Sequence, residues 1–260
     1  RNDSVKIIVL VKQVPDTAEE RRLDLETGCL ERSASEAVAD EINERALEVA
    51  LRYKDGDKKG TEVVALTMGP EGAIDALRKA LSMGADSAVH VLDDALEGAD
   101  IARTSAVLAA AAKQTGFDLL IAGNESTDGR GGVVPAMVAE HLGLPLLPSL
   151  NSVEFDEASV AGEVGIENGT LAVRAPLPAV ISVTERAAEA RFPNFKGIMT
   201  AKRKPLVTLS ISDLDLDAAG AAAVVLSTSE RPARTAGRKI YDDGNAGHQL
   251  AEFLTAGRLI

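Results

Sequence analysis

Residues 119–134, LLIAGNESTDGRGGVV, constrain the fold more than any other stretch of this chain. An apolar run, Leu119 to Ala122, ends abruptly at Gly123, and the nine residues from Asn124 to Gly132 are all small or polar. A helical pattern follows from Val133 to His141 and stops at Gly143, with Pro135 in the first turn, where its missing N–H costs nothing. This order spells a buried strand, a glycine-rich turn and the open N-terminus of a helix. N–H groups there have no partner within the helix, and the aligned peptide dipoles favour an anion. Glycines at 129, 131 and 132 permit positive φ and close approach to a phosphate. A nucleotide or another phosphate compound is therefore the expected ligand. The spacing is neither the dinucleotide fingerprint nor the P-loop pattern, and an ordinary strand-to-helix loop is the alternative reading.

At 260 residues the chain can bury a full core. Its net charge of −12 argues against nucleic acid or an anionic membrane surface as the main partner. No apolar run approaches the roughly 20 residues needed to span a bilayer, so no membrane insertion is expected. Residues 1–12 contain no long apolar segment of the secretory type. The single cysteine, Cys29, excludes an intrachain disulfide and a cysteine metal cluster, and fits a cytoplasmic location. With 3% aromatic residues and no Trp, a stacking surface for bases is disfavoured.

Val5 to Val11, VKIIVLV, reads as a central strand buried on both faces. Residues 36–54 carry Val38, Ile42, Leu47, Val49 and Tyr53 among Glu and Arg, an amphipathic helix with an imperfect stripe. Thr61 to Met68 is a second strand. Glu71 to Met83 is a helix with Gly84 just past its end. Ala88 to Leu92 is a short strand, and Asp100 to Gln114 an alanine-rich helix with Asp100 as N-cap. Such alternation builds βαβ units and a mostly parallel sheet. Ligands of such sheets sit beyond the carboxyl ends of the strands, where the turns after Val11, Met68 and Ala122 are expected to converge.

Beyond Leu144 the pattern changes. Pro145 and Pro148 break the helical run, and Val153 to Phe155, Glu163 to Ile166 and Leu171 to Arg174 read as short strands. Asn168-Gly169 is a hairpin signal. Ala179 to Thr184 is another apolar strand. These strands either join the first sheet or form a small antiparallel layer. Residues 186–205 show no period. The C-terminal portion holds a strand near Val224 to Leu226 and a helix near His248 to Ala256. The expected fold is α/β: a three-layer, mostly parallel doubly wound sheet with a small antiparallel portion and a C-terminal extension. The expected division is a nucleotide-binding domain over 1–185 and a docking loop with extension over 186–260.

No catalytic machinery is visible. His90, His141 and His248 are scattered without metal-ligand spacing, Ser126 has no nucleophile elbow, and Cys29 has no electropositive sequence context. No catalytic residue and no metal site is expected, and a partner's cofactor could supply the chemistry. The segment 191–204, RFPNFKGIMTAKRK, places Phe192, Phe195, Ile198 and Met199 inside a basic stretch. It is either a docking element, an apolar anchor with a polar rim, or a loop folded back on its own core.

At this point the residues become recognisable. VTERAAEARFPNFKGIMTAKRK, 183–204, resembles the signature region of the electron-transfer flavoprotein β subunit. VKIIVLVKQV (5–14), RKALSMGAD (78–86), the glycine-rich turn and RTAGRKI (234–240) resemble further segments of that family at the expected places. DEINERA (40–46) and AGNESTDG (122–129) resemble actinobacterial members most.

The resemblance implies an electron carrier that pairs with an electron-transfer flavoprotein α subunit as a heterodimer. FAD then sits at the interface, mainly on the α subunit. It accepts electrons from acyl-CoA and other dehydrogenases, as in fatty acid oxidation, and passes them to a quinone reductase. The β subunit would bury AMP without a redox role. Carried over by position, the AMP contacts fall on Leu10, on Asp40, Glu41, Ile42 and Asn43, on Met68, and on Gly123, Asn124, Glu125, Ser126, Thr127, Asp128, Gly129, Arg130, Gly131, Gly132, Val133 and Val134. The dehydrogenase-docking loop falls on Asn194, Phe195, Lys196, Gly197, Ile198 and Met199, with Phe195 in place of an anchoring leucine. Thr17 and Ile42 fall near the flavin, and the C-terminal extension packs on the α subunit. Where many members have Asn-Gln-Thr, this chain has Gly132-Val133-Val134, which leaves backbone N–H groups and Arg130 as phosphate donors. Two rival readings are a bifurcating NADH-dependent flavoprotein subunit with a second FAD in place of AMP, and a stand-alone adenine-nucleotide sensor of the universal-stress type.

Overall fold

The computed structural model describes residues 5–56, 60–216, 223–235, 237 and 239–260. Ala236 and Arg238, within the RTAGRKI segment, lie outside the described residues. The first half of the chain forms β1 (Val5–Leu10), β2 (Gln13–Pro15), β3 (Ala37–Ala39), α1 (Glu41–Gly56), β4 (Thr61–Met68), α2 (Ile74–Met83), β5 (Ser87–Val91), α3 (Ile101–Thr115) and β6 (Leu119–Gly123). The second half forms α4 (Val134–Leu142), β7 (Leu146–Phe155), β8 (Ser159–Ile166), β9 (Gly169–Pro176), β10 (Ala179–Val183), α5 (Phe195–Ala201), β11 (Leu206–Leu209) and α6 (Ala246–Ala256).

Continuous apolar strands are buried on both faces, and that dictates the layers. On β1, Ile7 and Val9 join one cluster with Leu47 of α1 and Leu77 of α2. Ile8 and Leu10 join another with Val107 of α3 and Val138 of α4. The sheet between them has nine strands in the order β11-β5-β4-β1-β6-β10-β7-β8-β9. Pairing is parallel from β11 to β7 and antiparallel through β8 and β9. The short ribbon β2–β3 stands apart. The α/β, mostly parallel, doubly wound architecture is thus the one expected.

Strand order places the site. From β1 the chain moves outward through β4 and β5, then returns to β6 on the other flank of β1. Connections on the two flanks leave on opposite faces, so a crevice opens beyond the carboxyl ends of β1 and β6. Ile7, Ile8 and Val9 lie in register with Leu119, Leu120 and Ile121, which brings Lys12 and the glycine-rich turn together at that crevice.

Several expectations need correction. The helix assigned to 36–54 starts only at Glu41, because residues 37–39 pair with β2 and Asp40 caps the helix. Pro148 lies inside β7, at a register shift between Leu147 and Leu150. Ser149 there has φ 53°, and its N–H donates to Ser182 Oγ at 2.8 Å, so the proline sits at a bulge that needs no ladder hydrogen bond. The strands expected as short pieces are longer and extend the edge of the main sheet. Tyr53 of α1 stacks on Phe155 beneath this arm, ring centroids 4.0 Å apart. Residues 224–226 are not a strand; they run exposed, with Val225 against Gly28. β11 pairs with β5, so the main sheet extends beyond residue 186. Among the described residues no helix is long and apolar enough to cross a membrane.

Candidate functional site

The glycine-rich turn is tied down by a buried side chain at the N-cap of α1. Asp40 is fully buried. Its Oδ1 accepts from the N–H groups of Ile42 (2.9 Å) and Asn43 (3.3 Å), capping α1. Its Oδ2 accepts from Thr127 N (2.7 Å) and Thr127 Oγ1 (2.8 Å), anchoring the turn. Asn43 Oδ1 accepts from Lys12 N at 2.8 Å, which fixes the exit of β1 to the same helix end. Gly123 is required at this junction: a Cβ there would stand 2.6 Å from Asn43 Nδ2. Asn124 N donates to Val183 O at 2.8 Å, joining the turn to β10.

A second anchor is ionic. The Asp128 side chain is 1% exposed and meets Lys12 Nζ at 2.8 Å and Arg32 Nη2 at 3.0 Å. Burial alone would raise its pKa. Hydrogen bonds from Lys12 and Ser126, with the charges of Lys12 and Arg32, outweigh that and hold the carboxyl well below its ordinary 3.8. Because the folded-state value is depressed, the stabilisation is complete above the unfolded value and is lost as pH falls below it. Asp128→Asn is therefore expected to be less stable than the parent at pH 7 by about 2 kcal/mol, with the gap closing toward pH 2. Urea melts across that range measure it, and a gap constant with pH would contradict the assignment.

Beyond Asp128 the turn opens. Residues 129–133 are exposed, and among the described residues no acceptor faces the N–H groups of Gly131, Gly132, Val133 and Val134. Asn124 Oδ1 is buried with no hydrogen-bond partner among the described residues, an acceptor available to an incoming donor. Four free amides and one orphaned acceptor suit a ligand with an anionic end and an N–H or hydroxyl group. Most predicted positions come together here. Leu10 ends β1, Met68 ends β4 half-buried, and Asp40, Ile42 and Asn43 form the start of α1. Glu41 is exposed, and Glu125 reaches Arg130 at 3.5 Å. Ile42 is buried against Gly123, whereas Thr17 is exposed.

The basic stretch that lacked a period contains α5. Asn194 caps it, its Oδ1 accepting from Gly197 N at 2.8 Å. Gly197 rests on α2, where a Cβ would lie 2.1 Å from Ser82 O. Arg78 donates to Ala201 O (3.1 Å), and Lys204 Nζ donates to Leu81 O (2.8 Å). Ahead of the helix, Arg191 grips Glu48 on α1 with contacts of 2.6 and 3.0 Å and reaches Asp55 at 2.9 Å. So firmly seated, α5 turns Phe195, Ile198 and Met199 outward at 80%, 54% and 62% exposure, with Phe192 at 93% beside it. These spacings place 195, 198 and 199 on one helix face. Lys196, Lys202 and Arg203 are exposed around them.

Lys12 and Arg32 were not among the expected site residues. Lys12 was legible, since it directly follows the first strand; Arg32 arrives across an excursion of some twenty residues that no sequence period aims. His90, by contrast, is buried with Nε2 at 3.0 Å from Gly69 O, a structural bond.

The described residues thus combine a mostly parallel sheet, a turn with free amides at its switch point and a helix with an outward apolar face. A family model described as "Electron transfer flavoprotein domain" matches residues 27–214. The electron transfer flavoprotein subunits beta of Mycobacterium tuberculosis and Mycobacterium leprae are each 47% identical, over 98% of this chain and 99% of theirs. That of Bacillus subtilis is 33% identical over 96% of both chains. The chain belongs to the electron-transfer flavoprotein family, in its β-subunit branch.

Proposed function

We propose that this chain is the nucleotide-holding, dehydrogenase-docking half of an electron carrier, paired with an α subunit. The open turn at the β1/β6 switch point carries the reading. AMP is the ligand proposed there, its phosphate on the free amides of residues 131–134 and a donor of its nucleoside on Asn124 Oδ1. FAD, held at the interface and mainly by the α subunit, supplies the redox chemistry. This chain contributes no reacting group; its part is to fix a surface. Acyl-CoA and other dehydrogenases would dock on the outward face of α5, and a quinone reductase would receive the electrons. The C-terminal segment supports an α-subunit contact, because none of the residues of α6 is buried while Leu250 and Phe253 are more than half exposed.

Mass spectrometry of the denatured αβ complex tests the ligand. One AMP and one FAD per pair are expected. Two flavins and no AMP would indicate the bifurcating alternative, and a stable monomer that binds ATP would indicate the stress-type alternative.

A further inference from the structure

α1 carries a charged stripe of the kind that ordinarily faces solvent. Arg45, Glu48, Arg52 and Asp55 follow one another at helical spacing and share one face. Here all four meet a single segment, residues 188–191. Arg45 Nη1 donates to Ala188 O at 2.9 Å, and Arg52 Nη2 donates to Glu189 O at 3.4 Å. Arg191 sets its Nε and Nη2 on the two Glu48 oxygens at 2.6 and 3.0 Å, and its Nη2 also reaches Asp55 at 2.9 Å. Glu48 is 4% exposed and accepts further from Arg52 Nε at 3.1 Å. A buried carboxylate held by a guanidinium fork fixes direction as well as distance.

Only Phe192, Pro193 and the capping Asn194 separate this clasp from α5. Pro193 fixes its own φ, so the short link transmits position. The hydrogen bonds of Arg78 and Lys204 with α2 and Ala201 hold the far end of α5. We propose that Glu48 is a positioning residue for docking: through Arg191 it sets where the first turn of α5 presents Phe195 to an incoming dehydrogenase. The proposal rests on the docking reading above and deepens it, placing part of the recognition on a buried side chain out of the partner's reach. With the clasp open, α2 still seats α5, but its first turn samples other positions. Apparent affinity then falls in proportion to the fraction of molecules that still hold Phe195 in place.

Steady-state reduction of the αβ complex by an acyl-CoA dehydrogenase is measured for the parent, Glu48→Gln, Arg191→Lys, Phe195→Ala and the double variant Glu48→Gln/Phe195→Ala, with flavin content and melting temperature alongside. Glu48→Gln keeps the size of the side chain and loses its charge. Its KM for the donor is expected to rise about fivefold, with limiting rate and flavin content unchanged, as the competent fraction falls to about one fifth. Arg191→Lys keeps a charge without the fork and should raise KM about twofold. On top of Phe195→Ala, Glu48→Gln should add less than about twofold, because both act through one contact. A raised KM for Phe195→Ala beside a parental KM for Glu48→Gln would overturn the positioning role, even where the melting temperature falls. A full fivefold rise on top of Phe195→Ala would overturn it too. A parental KM for Phe195→Ala would instead remove the docking reading, and this role with it. Should Glu48→Gln yield no folded complex, Arg191→Lys decides, and a parental KM there overturns the assignment.

Discussion

Replacing Asp40 with alanine is expected to lower the stability of the chain by about 3 kcal/mol and abolish nucleotide retention. The carboxylate accepts four hydrogen bonds, two from the first turn of α1 and two from Thr127. The donors sit in buried surroundings, with Ile42 and Asn43 at 7% exposure and Thr127 at 4%, so water cannot substitute. Alanine leaves these donors unmet at about 1–3 kcal/mol for each group fully stranded, which relaxation of the turn reduces. For a chain of this size, 3 kcal/mol corresponds to a fall of about 6–12 °C in melting temperature. Asp40→Asn keeps one acceptor oxygen and should serve either the helix cap or the turn, giving about half the loss. Calorimetry of both variants measures the effect; a melting temperature for Asp40→Ala within 2 °C of the parent would show that Thr127 is held by something else.

The second large effect belongs to Gly197. A methyl group there would stand 2.1 Å from the Ser82 carbonyl oxygen, a backbone atom that cannot rotate away. Gly197→Ala must therefore lift α5 from α2 by more than about 1 Å, and Phe195 moves with it. Displacing one central anchor of a small electron-transfer contact costs about 2 kcal/mol, or some thirtyfold in apparent affinity. Stopped-flow reduction by a dehydrogenase should thus show KM for the donor rising about thirtyfold, with flavin content and limiting rate nearly unchanged. Phe195→Ala, which removes the proposed anchor without moving the helix, should give a similar rise. A Gly197→Ala variant with parental KM would separate α5 from docking altogether.

How much of this was readable beforehand depended on the length over which a pattern could build. The sheet and its flanking helices were legible, because strands such as VKIIVLV and the turn after Ala122 carry strong local signals. The site's anchors at Asp40 and Asn43 entered only through family resemblance, since a buried aspartate at a helix start reads locally as a cap and nothing more. α5 escaped notice because seven residues are barely two turns, too few for an apolar stripe to emerge from a basic background. Pro148 does end the helical run, but its place inside a strand was not legible, because only the bulge at Ser149 makes room for it there. Val224 to Leu226 look like a strand on composition, yet they pair with no strand among the described residues. The Arg32–Asp128 contact joins residues 96 positions apart, a separation at which local sequence carries no information.

α6 carries a thermodynamic implication of its own. Eleven residues are too few to stay helical in water by propensity, and none of these is buried among the described residues. On the proposed α-subunit contact, ordering of the tail and capture of the companion protein are a single coupled transition. Strength of association in such a case is set by how much entropy the free tail surrenders, as well as by the surface it finally covers.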